Sequence, residues 1–237
     1  DIMNNLFKTS ALLALFLVSA YNANAQESKN VSIKNVSSVT VSSGIDLYLT
    51  QGNSESLDIK SSEDLLKNVV VEQNGGNLTI KVKDGLNWGN MFRNQSIKAY
   101  LNFKTLNALT ASGGSDVYSQ NQIKADKFSI RSSGGSDVKL NLVCTDIQIQ
   151  SSGGSDVKLT GKAENMVLQT SGGSDVNAYE FPVAYAKVSA SGGSDANVNV
   201  TKGLEAGASG GSDVHYKGNA SLKKISLSKS GDVTKVN

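Results

Sequence analysis

The sequence of 237 residues is poor in the residue types on which many enzymes and cross-linked extracellular folds depend. It has one cysteine, Cys144, one histidine, His215, and an aromatic content of 6%. A single cysteine cannot form an internal disulfide, so we expect Cys144 to be a free thiol. His215 is the one candidate base for a Ser–His–Asp site, and no zinc-binding spacing, P-loop or dinucleotide-binding fingerprint occurs. The low aromatic content favours a thin, repetitive core.

The sequence also has no strong excess of one charge and no long hydrophobic run. Its 23 basic and 21 acidic side chains give a net charge of +2. Without a basic patch we expect no nucleic-acid partner and no binding to an anionic membrane. The apolar run at residues 11–20 is too short to span a bilayer. Because it follows Lys8 and precedes the small-x-small sequence Ala23-Asn24-Ala25, it predicts a secretory signal peptide at residues 1–25.

The predicted signal peptide implies an exported mature chain of residues 26–237. The destination is the periplasm, the cell surface or the medium, with no membrane span after cleavage.

What the sequence does contain is one recurring phrase, Ser-Gly-Gly-Ser-Asp-Val. Its copies recur about every 20 residues, the fifth ends in Ala196, and a shortened seventh occupies residues 230–233. The six full copies begin at Ser112, Ser133, Ser152, Ser171, Ser191 and Ser209. A fixed period of this length is typical of stacked supersecondary units.

The residues around each copy alternate between apolar and polar, as in Val138-Lys139-Leu140. Period two predicts a strand with one buried face, and the segments between Gly-Gly pairs are too short for helices. Each repeat therefore consists of a strand, a tight Gly-Gly turn, a second strand and a looser connection. We expect the second glycine of each pair to need a positive φ or to let one backbone segment pass close to another. Stacking such units buries a continuous core, so the sequence predicts an all-β parallel solenoid.

Residues 26–108 lack the phrase but are also predicted to be β-structure. Asn74-Gly75-Gly76 between two apolar segments indicates a hairpin, and residues 62–66 indicate one helical turn. We predict that residues 26–108 form an N-terminal β cap with the first rungs, and that residues 109–237 form the repeats. The predicted strands span residues 38–41, 45–50, 56–60, 69–73, 77–82 and 96–103.

Residues 85–94 are the one irregular apolar stretch of the N-terminal part. Trp88, Met91 and Phe92 lie within it. They form either a loop packed on the cap or an exposed contact site for a binding partner. These three residues are the candidate binding residues.

The aspartate of each copy is predicted to point outward, because the valine after it points inward. Carboxylates stacked ~4.8 Å apart repel one another. Turn N–H groups and basic neighbours such as Lys139 and Lys158 offset this repulsion in one interpretation. In the other, a cation such as calcium binds along the column, as in Gly- and Asp-rich β-rolls. The candidate ligands are Asp116, Asp137, Asp156, Asp175, Asp195 and Asp213.

Two segments, residues 43–52 and residues 109–117 with their repeats, resemble the auto-transporter adhesin head GIN domain family of exported Bacteroidetes proteins. The family's Gly-Ile-Asn triplet occurs here as Gly44-Ile45-Asp46. The resemblance covers nearly the whole mature chain. It implies a single-stranded right-handed β-helix, a cell-envelope location and an adhesive role, and it brings no catalytic residues.

Two classes of function therefore stay open. The first is a non-enzymatic surface module that binds a glycan or a protein and needs no cofactor. The second is a carbohydrate-active β-helix enzyme, a polysaccharide lyase or hydrolase, since a glycosidase needs two carboxylates in one cleft. A carboxylate repeated on every rung favours the first class, because a catalytic pair is normally an exception to the repeat. An exposed solenoid end could also self-associate.

Overall fold

The chain is folded almost entirely into strands in the computed structural model, which describes residues 27–85, 96–227 and 230–237. The helix of this described part is the single turn α1 (Glu63–Leu66). The strands before the second copy of the phrase are β1 (Glu27–Val31), β2 (Ser38–Val41), β3 (Ile45–Gln51), β4 (Ser56–Ser61), β5 (Val69–Asn74), β6 (Asn77–Val82), β7 (Ile97–Phe103), β8 (Ala108–Ala111), β9 (Val117–Ser119) and β10 (Ile123–Lys124).

In the repeats, one strand enters each Gly-Gly turn and another leaves it. Three long strands, β14 to β16, run from one Gly-Gly turn to the next and so supply most of a solenoid rung each. The remaining strands are β11 (Lys127–Ser133), β12 (Asp137–Val143), β13 (Asp146–Ser152), β14 (Asp156–Ser171), β15 (Asp175–Ser191), β16 (Asp195–Ser209), β17 (Asp213–Lys217), β18 (Ser221–Leu227) and β19 (Asp232–Lys235).

Equivalent positions of successive repeats lie side by side in parallel register. Val138 pairs with Val157, and Ile149 pairs with Leu168. The predicted all-β parallel solenoid is confirmed. Strands that precede a Gly-Gly turn form what we call the pre-turn face (β8, β11, β13, the C-terminal halves of β14 to β16, and β18). Strands that follow a turn form the post-turn face (β9, β12, the N-terminal halves of β14 to β16, β17 and β19).

The N-terminal rungs are stacked in an order that differs from their order in the sequence. β2 lies between β6 and β8, and β3 lies between β7 and β9. The chain leaves β3, passes through β4, α1 and β5, and returns to add the β6–β7 rung on the outer side of β2–β3. Antiparallel β1, β4 and β5 then cover this end of the stack. Paired strands at the end protect the hydrogen-bonding groups of the outermost parallel rung.

Inward side chains of both faces form one continuous core. Phe103 and Phe181 are its largest fully buried side chains. At the Gly-Gly corner the two faces converge, and only small residues fit inside it. The small residue directly before each copy is buried in every full repeat; these residues are Ala111, Ser132, Ser151, Thr170, Ala190 and Ala208.

Both glycines of the Gly-Gly turn adopt a positive φ, whereas the sequence indicated a requirement for glycine at the second position alone. Gly134 and Gly135 have φ values of 64° and 73°. A Cβ on Gly134 would also lie 3.2 Å from the backbone nitrogen of Gly113 in the preceding rung. The Gly135 N–H donates to the Gly153 carbonyl at 3.1 Å, and similar bonds connect the other turns. The first glycine therefore permits close stacking of rungs, and the second permits the left-handed turn.

The serine after each Gly-Gly pair closes the corner from inside. Ser136 is fully buried, accepts a hydrogen bond from the Ser133 N–H at 3.2 Å, and has its Oγ 3.0 Å from the Ser133 carbonyl. Within the described residues every buried side-chain nitrogen or oxygen has a hydrogen-bond partner. The presence of this serine in all six full copies is the signal in the sequence that indicates its specific role.

Candidate binding surface

The aspartates of the phrase form a straight column on the post-turn face, as predicted. Successive members pair in register, for example Asp137 with Asp156 and Asp156 with Asp175. The column has one member that the sequence analysis missed, Asp46, because Leu47 pairs with Val117 and so places Asp46 beside Asp116. The signal was residues 42–47, Ser-Ser-Gly-Ile-Asp-Leu, which occupy the place of the phrase in the β2–β3 rung.

Backbone N–H groups of the next rung donate to two of these carboxylates. The Asp137 N–H donates to Asp116 Oδ1 at 3.2 Å, and the Asp195 N–H donates to Asp175 Oδ1 at 3.2 Å. Lys139 Nζ lies 3.5 Å from Asp137 Oδ2. In the part of the chain that the structure describes, no cluster of three or more His, Cys, Asp or Glu side chains could hold a metal ion. This geometry supports the interpretation of the aspartates as turn and rung acceptors.

Burial and charge repulsion act on the first member of the column. The pKa of the Asp46 carboxyl is raised above its usual value, mainly because burial removes water and also because Asp116 lies beside it, while Lys98 partly opposes the shift. Lys98 pairs with Asp46 in the adjacent strand β7, so the acidic column ends at a basic residue on this side.

Three tyrosines stack next to the first aspartates. The ring centroid of Tyr48 lies 4.9 Å from that of Tyr100 and 5.5 Å from that of Tyr118. Lys60 lies over the Tyr100 ring and Lys139 over the Tyr118 ring, at 5.2 and 5.6 Å from the centroids. Because other rings and lysines occupy the ring faces, this stack offers no free aromatic face to a ligand. It stabilises the junction between the N-terminal rungs and the repeats.

The Tyr118 hydroxyl joins the tyrosine stack to the aspartate column. It donates to Asp116 Oδ2 at 3.2 Å. Burial, the Asp116 charge and this hydrogen bond raise the pKa of Tyr118 to about 12. The phenol therefore stays protonated and able to donate at all physiological pH values.

The other candidate residues of the sequence analysis do not join a common site. Trp88, Met91 and Phe92 lie outside the described residues. His215 points outward in the post-turn column between Asn197 and Thr234. Ser212 of the same copy is fully buried, with Oγ 2.7 Å from the Ser209 carbonyl, so it points to the opposite side of the strand from His215. These two residues form no nucleophile–base pair.

Cys144 is a buried free thiol, as expected. Burial, together with the charges of Asp146 and Asp126, raises its pKa to about 12. A thiol that stays protonated is a weak nucleophile. Cys144 thus has a packing role.

Concave surface occurs on the pre-turn face. Two cavities of about 470 and 430 Å³ share Asn165 in their lining. We call these two cavities together the pre-turn groove. A third cavity of about 300 Å³ lies toward the Gly-Gly corner, between the Gln150–Gln169 ladder and the serines at the strand ends. Sequence reasoning did not find this groove, because its residues come from strands about 20 positions apart.

Tyr185 is the most exposed apolar side chain of the pre-turn groove. Its exposed fraction is 50%. Its register neighbour toward the C-terminal end of the solenoid is Gly203, and a Cβ there would lie 3.1 Å from Tyr185 Cδ1. Lys202 Nζ lies 5.5 Å from the ring centroid. The ring therefore leans over a glycine at the surface instead of packing into a column of large side chains.

The carboxylates of the groove are neutralised by lysines. Lys127 Nζ lies 3.6 Å from Asp146 Oδ2, and Lys223 Nζ lies 2.9 Å from Glu205 Oε1. The bond from Lys223 lowers the pKa of Glu205. Asp146 lines one cavity and Glu205 lines the other, so neither cavity holds two carboxylates. This arrangement lacks the carboxylate pair that glycoside hydrolysis requires.

No helix in the described ranges is long and apolar enough to cross a membrane. The family model described as "Putative auto-transporter adhesin, head GIN domain" matches residues 35–220. No curated protein matches the chain.

Several solved structures share the fold. A "putative adhesin" from Bacteroides fragilis is 22% identical with a TM-score of 0.84, and the match covers 90% of this chain and 98% of that one. A "putative lipid binding protein" from Parabacteroides distasonis is 21% identical with a TM-score of 0.69, covering 91% and 98%. A "putative adhesin" from Parabacteroides merdae is 19% identical with a TM-score of 0.66, with the same coverage. At these identities the likeness concerns the fold alone.

Proposed function

The chain belongs to the head GIN domain family of auto-transporter adhesins, and on this premise we propose that it is an exported, adhesin-like binding module without catalytic activity. The proposed location is the cell envelope or cell surface, in line with the predicted signal peptide at residues 1–25. The names of the similar solved structures, two adhesins and a lipid-binding protein, support a binding role for this fold.

The observation that carries the proposal is the arrangement of carboxylates. On the post-turn face the aspartates repeat on every rung, and two of them, Asp116 and Asp175, accept hydrogen bonds from backbone N–H groups of the next rung. In the pre-turn groove the acidic side chains are separated and paired with lysines. Neither set provides an acid and a base facing each other across a cleft. A long solenoid face with a shallow, open groove instead suits binding of an extended ligand.

The first part of the test is a search for catalysis. The purified protein is incubated with a panel of polysaccharides, and reducing ends and unsaturated products are measured. We expect neither product. Release of either product, abolished by Asp156→Asn together with Asp175→Asn, would show a carbohydrate-active enzyme and overturn the proposal.

The second part is a test of surface exposure and adhesion. Intact cells that express the protein are treated with a protease that cannot enter them, and adhesion of cells with and without the gene to a layer of neighbouring bacteria is compared. We expect loss of the protein on protease treatment and weaker adhesion of the deletion strain. A protein that fractionates with the cytoplasm contradicts the proposal.

A further inference from the structure

We infer that the pre-turn groove binds a neutral polysaccharide, with Tyr185 as the surface on which one sugar ring stacks. This specifies the ligand class of the binding module and therefore rests on the proposed function. Four features of the groove carry the inference: a half-exposed aromatic ring, paired charges, exposed side-chain amides and an axial run of register positions.

The first feature is the position of Tyr185. In its outward column, Asn165 precedes it and Gly203 and then Ser221 follow it. Since glycine and serine fill little space, two successive rungs beside the ring carry no large side chain, and the larger cavity lies there. Tyr48 stacks on two other tyrosines, whereas Tyr185 stacks on no other ring and is half-exposed; a sugar ring on Tyr185 has to share or displace the Lys202 ammonium, which lies 5.5 Å from its centroid. An exposed aromatic face matches the C–H-rich face of a pyranose ring.

The second feature is charge. The acidic groups Asp146 and Glu205 each lie close to a lysine, Lys127 and Lys223 respectively. Lys187 also lines the groove, and its charge acts on Glu205, so three lysines face two carboxylates and the net charge along the groove is small. A polyanion would lack a row of free cations to bind. An uncharged, hydroxyl-rich polymer suits this surface better.

The third feature is the set of amides. Asn107, Gln148 and Asn165 line the groove. The Asn165 Nδ2 donates to Asp146 Oδ1 at 2.9 Å, which fixes the orientation of this amide. Each side-chain amide has donors and an acceptor, which allow it to bind two adjacent hydroxyl groups of a sugar.

The fourth feature is length and direction. The outward column of the groove runs from Lys127 through Asn165 and Tyr185 to Ser221, across six strands. Five rung steps span roughly 24 Å along the solenoid axis. This run is long enough for several sugar units of an extended chain. A lipid tail would need a continuous apolar lining, but polar Gln148 and Lys187 flank exposed Val167 in the neighbouring column.

The test measures binding of the purified protein to soluble polymers. The probes are dextran, mannan and xyloglucan as neutral polysaccharides, alginate and polygalacturonate as acidic ones, and vesicles of phosphatidylcholine with phosphatidylglycerol. The variants are Tyr185→Ala, Tyr185→Trp and the control Tyr179→Ala. Tyr179 is a matched control because it lies in the same strand, has Lys217 5.1 Å from its ring centroid, and lines neither groove cavity. Melting temperatures confirm that each variant is folded.

We expect at least one neutral polymer to bind. Tyr185→Ala should weaken this binding roughly ten-fold, the effect of losing one aromatic stacking contact. The affinity of Tyr179→Ala for the polymer should stay within about two-fold of that of the unchanged protein. Tyr185→Trp should retain binding because it keeps an aromatic face.

Three results would overturn the inference: binding to acidic polymers or vesicles only, equal binding of Tyr185→Ala and the unchanged protein, or a dimer in sedimentation that Tyr185→Ala dissociates. If cell adhesion persists in a strain carrying Tyr185→Ala and no neutral polymer binds, the groove assignment fails while the adhesive function stands. If neither adhesion nor polymer binding is observed, both the groove assignment and the proposed adhesive function are rejected.

Discussion

Ser132 and Ser136 place their Oγ atoms 2.9 Å apart inside a Gly-Gly corner. The pair recurs in the next rungs as Ser151 with Ser155, at 3.0 Å, and as Thr170 with Ser174, at 2.9 Å. Further along, Ala190 and Ala208 replace the first member, while the second stays serine. The first hydroxyl is therefore dispensable to the corner, and the second is the one that closes the turn.

We predict unequal effects for the two serines of one corner. Ser155→Ala removes the hydroxyl that lies 2.9 Å from the Ser152 carbonyl and should lower the free energy of unfolding by about 1–3 kcal/mol, because buried polar groups lose a partner. Ser151→Ala introduces the alanine that later rungs have at this position, and it should lower the free energy of unfolding by less than about 1 kcal/mol. Urea denaturation measures both changes, and equal losses would contradict the assigned roles.

The two turn glycines give a second prediction. Gly135→Ala places a Cβ in open space but at φ 73°, which costs about 1–2 kcal/mol. Gly134→Ala adds to this strain a contact of 3.2 Å with the Gly113 nitrogen, so it should destabilise more. Melting temperatures of the two variants test the order. If Gly135→Ala melts lower, close rung stacking is not what requires the first glycine.

The aspartate column gives a prediction about calcium. If the carboxylates serve as turn and rung acceptors, the melting temperature should be the same in EDTA and in millimolar calcium. The double variant Asp156→Asn, Asp175→Asn should then differ from the unchanged protein by less than about 1 kcal/mol, since an amide oxygen also accepts. A ligand at about 100 times its Kd adds about 2.7 kcal/mol. A rise of many degrees in calcium, lost in the variant, would identify a cation site.

The raised pKa of Asp46 gives a prediction about pH. The folded-state pKa of the Asp46 carboxyl lies above its ordinary value of 3.8, so protonation of this carboxyl stabilises the folded state relative to the unfolded state. The stabilisation by protonated Asp46 is present below about pH 4 and is lost as the pH rises through the folded-state pKa. The melting temperature of the unchanged protein, relative to that of Asp46→Asn, should therefore fall between pH 3.5 and pH 7. Asp156→Asn serves as the control, and a constant difference for Asp46→Asn would contradict the shift.

The sequence alone determined the architecture of the repeats, because the signals are local. Alternation around each phrase predicts which residues point inward, and the hairpin at Asn74-Gly75-Gly76 and the single turn α1 were also predicted correctly. Six of the first seven strands, β2 to β7, were placed to within a residue. β1 was missed, because its residues are mostly exposed and carry no alternation.

Tertiary structure alone decided what depends on contacts between distant segments. The β2–β3 rung lies between β6–β7 and β8–β9 because the returning chain adds β6–β7 to the outer edge of β2–β3. No local sequence pattern indicates which edge of the rung the chain joins. The same register brings Asp46 beside Asp116 and stacks Tyr48 between Tyr100 and Tyr118. The larger cavity of the pre-turn groove lies where small Gly203 follows large Tyr185 one rung later. This difference in size forms a cavity only because the two strands lie side by side.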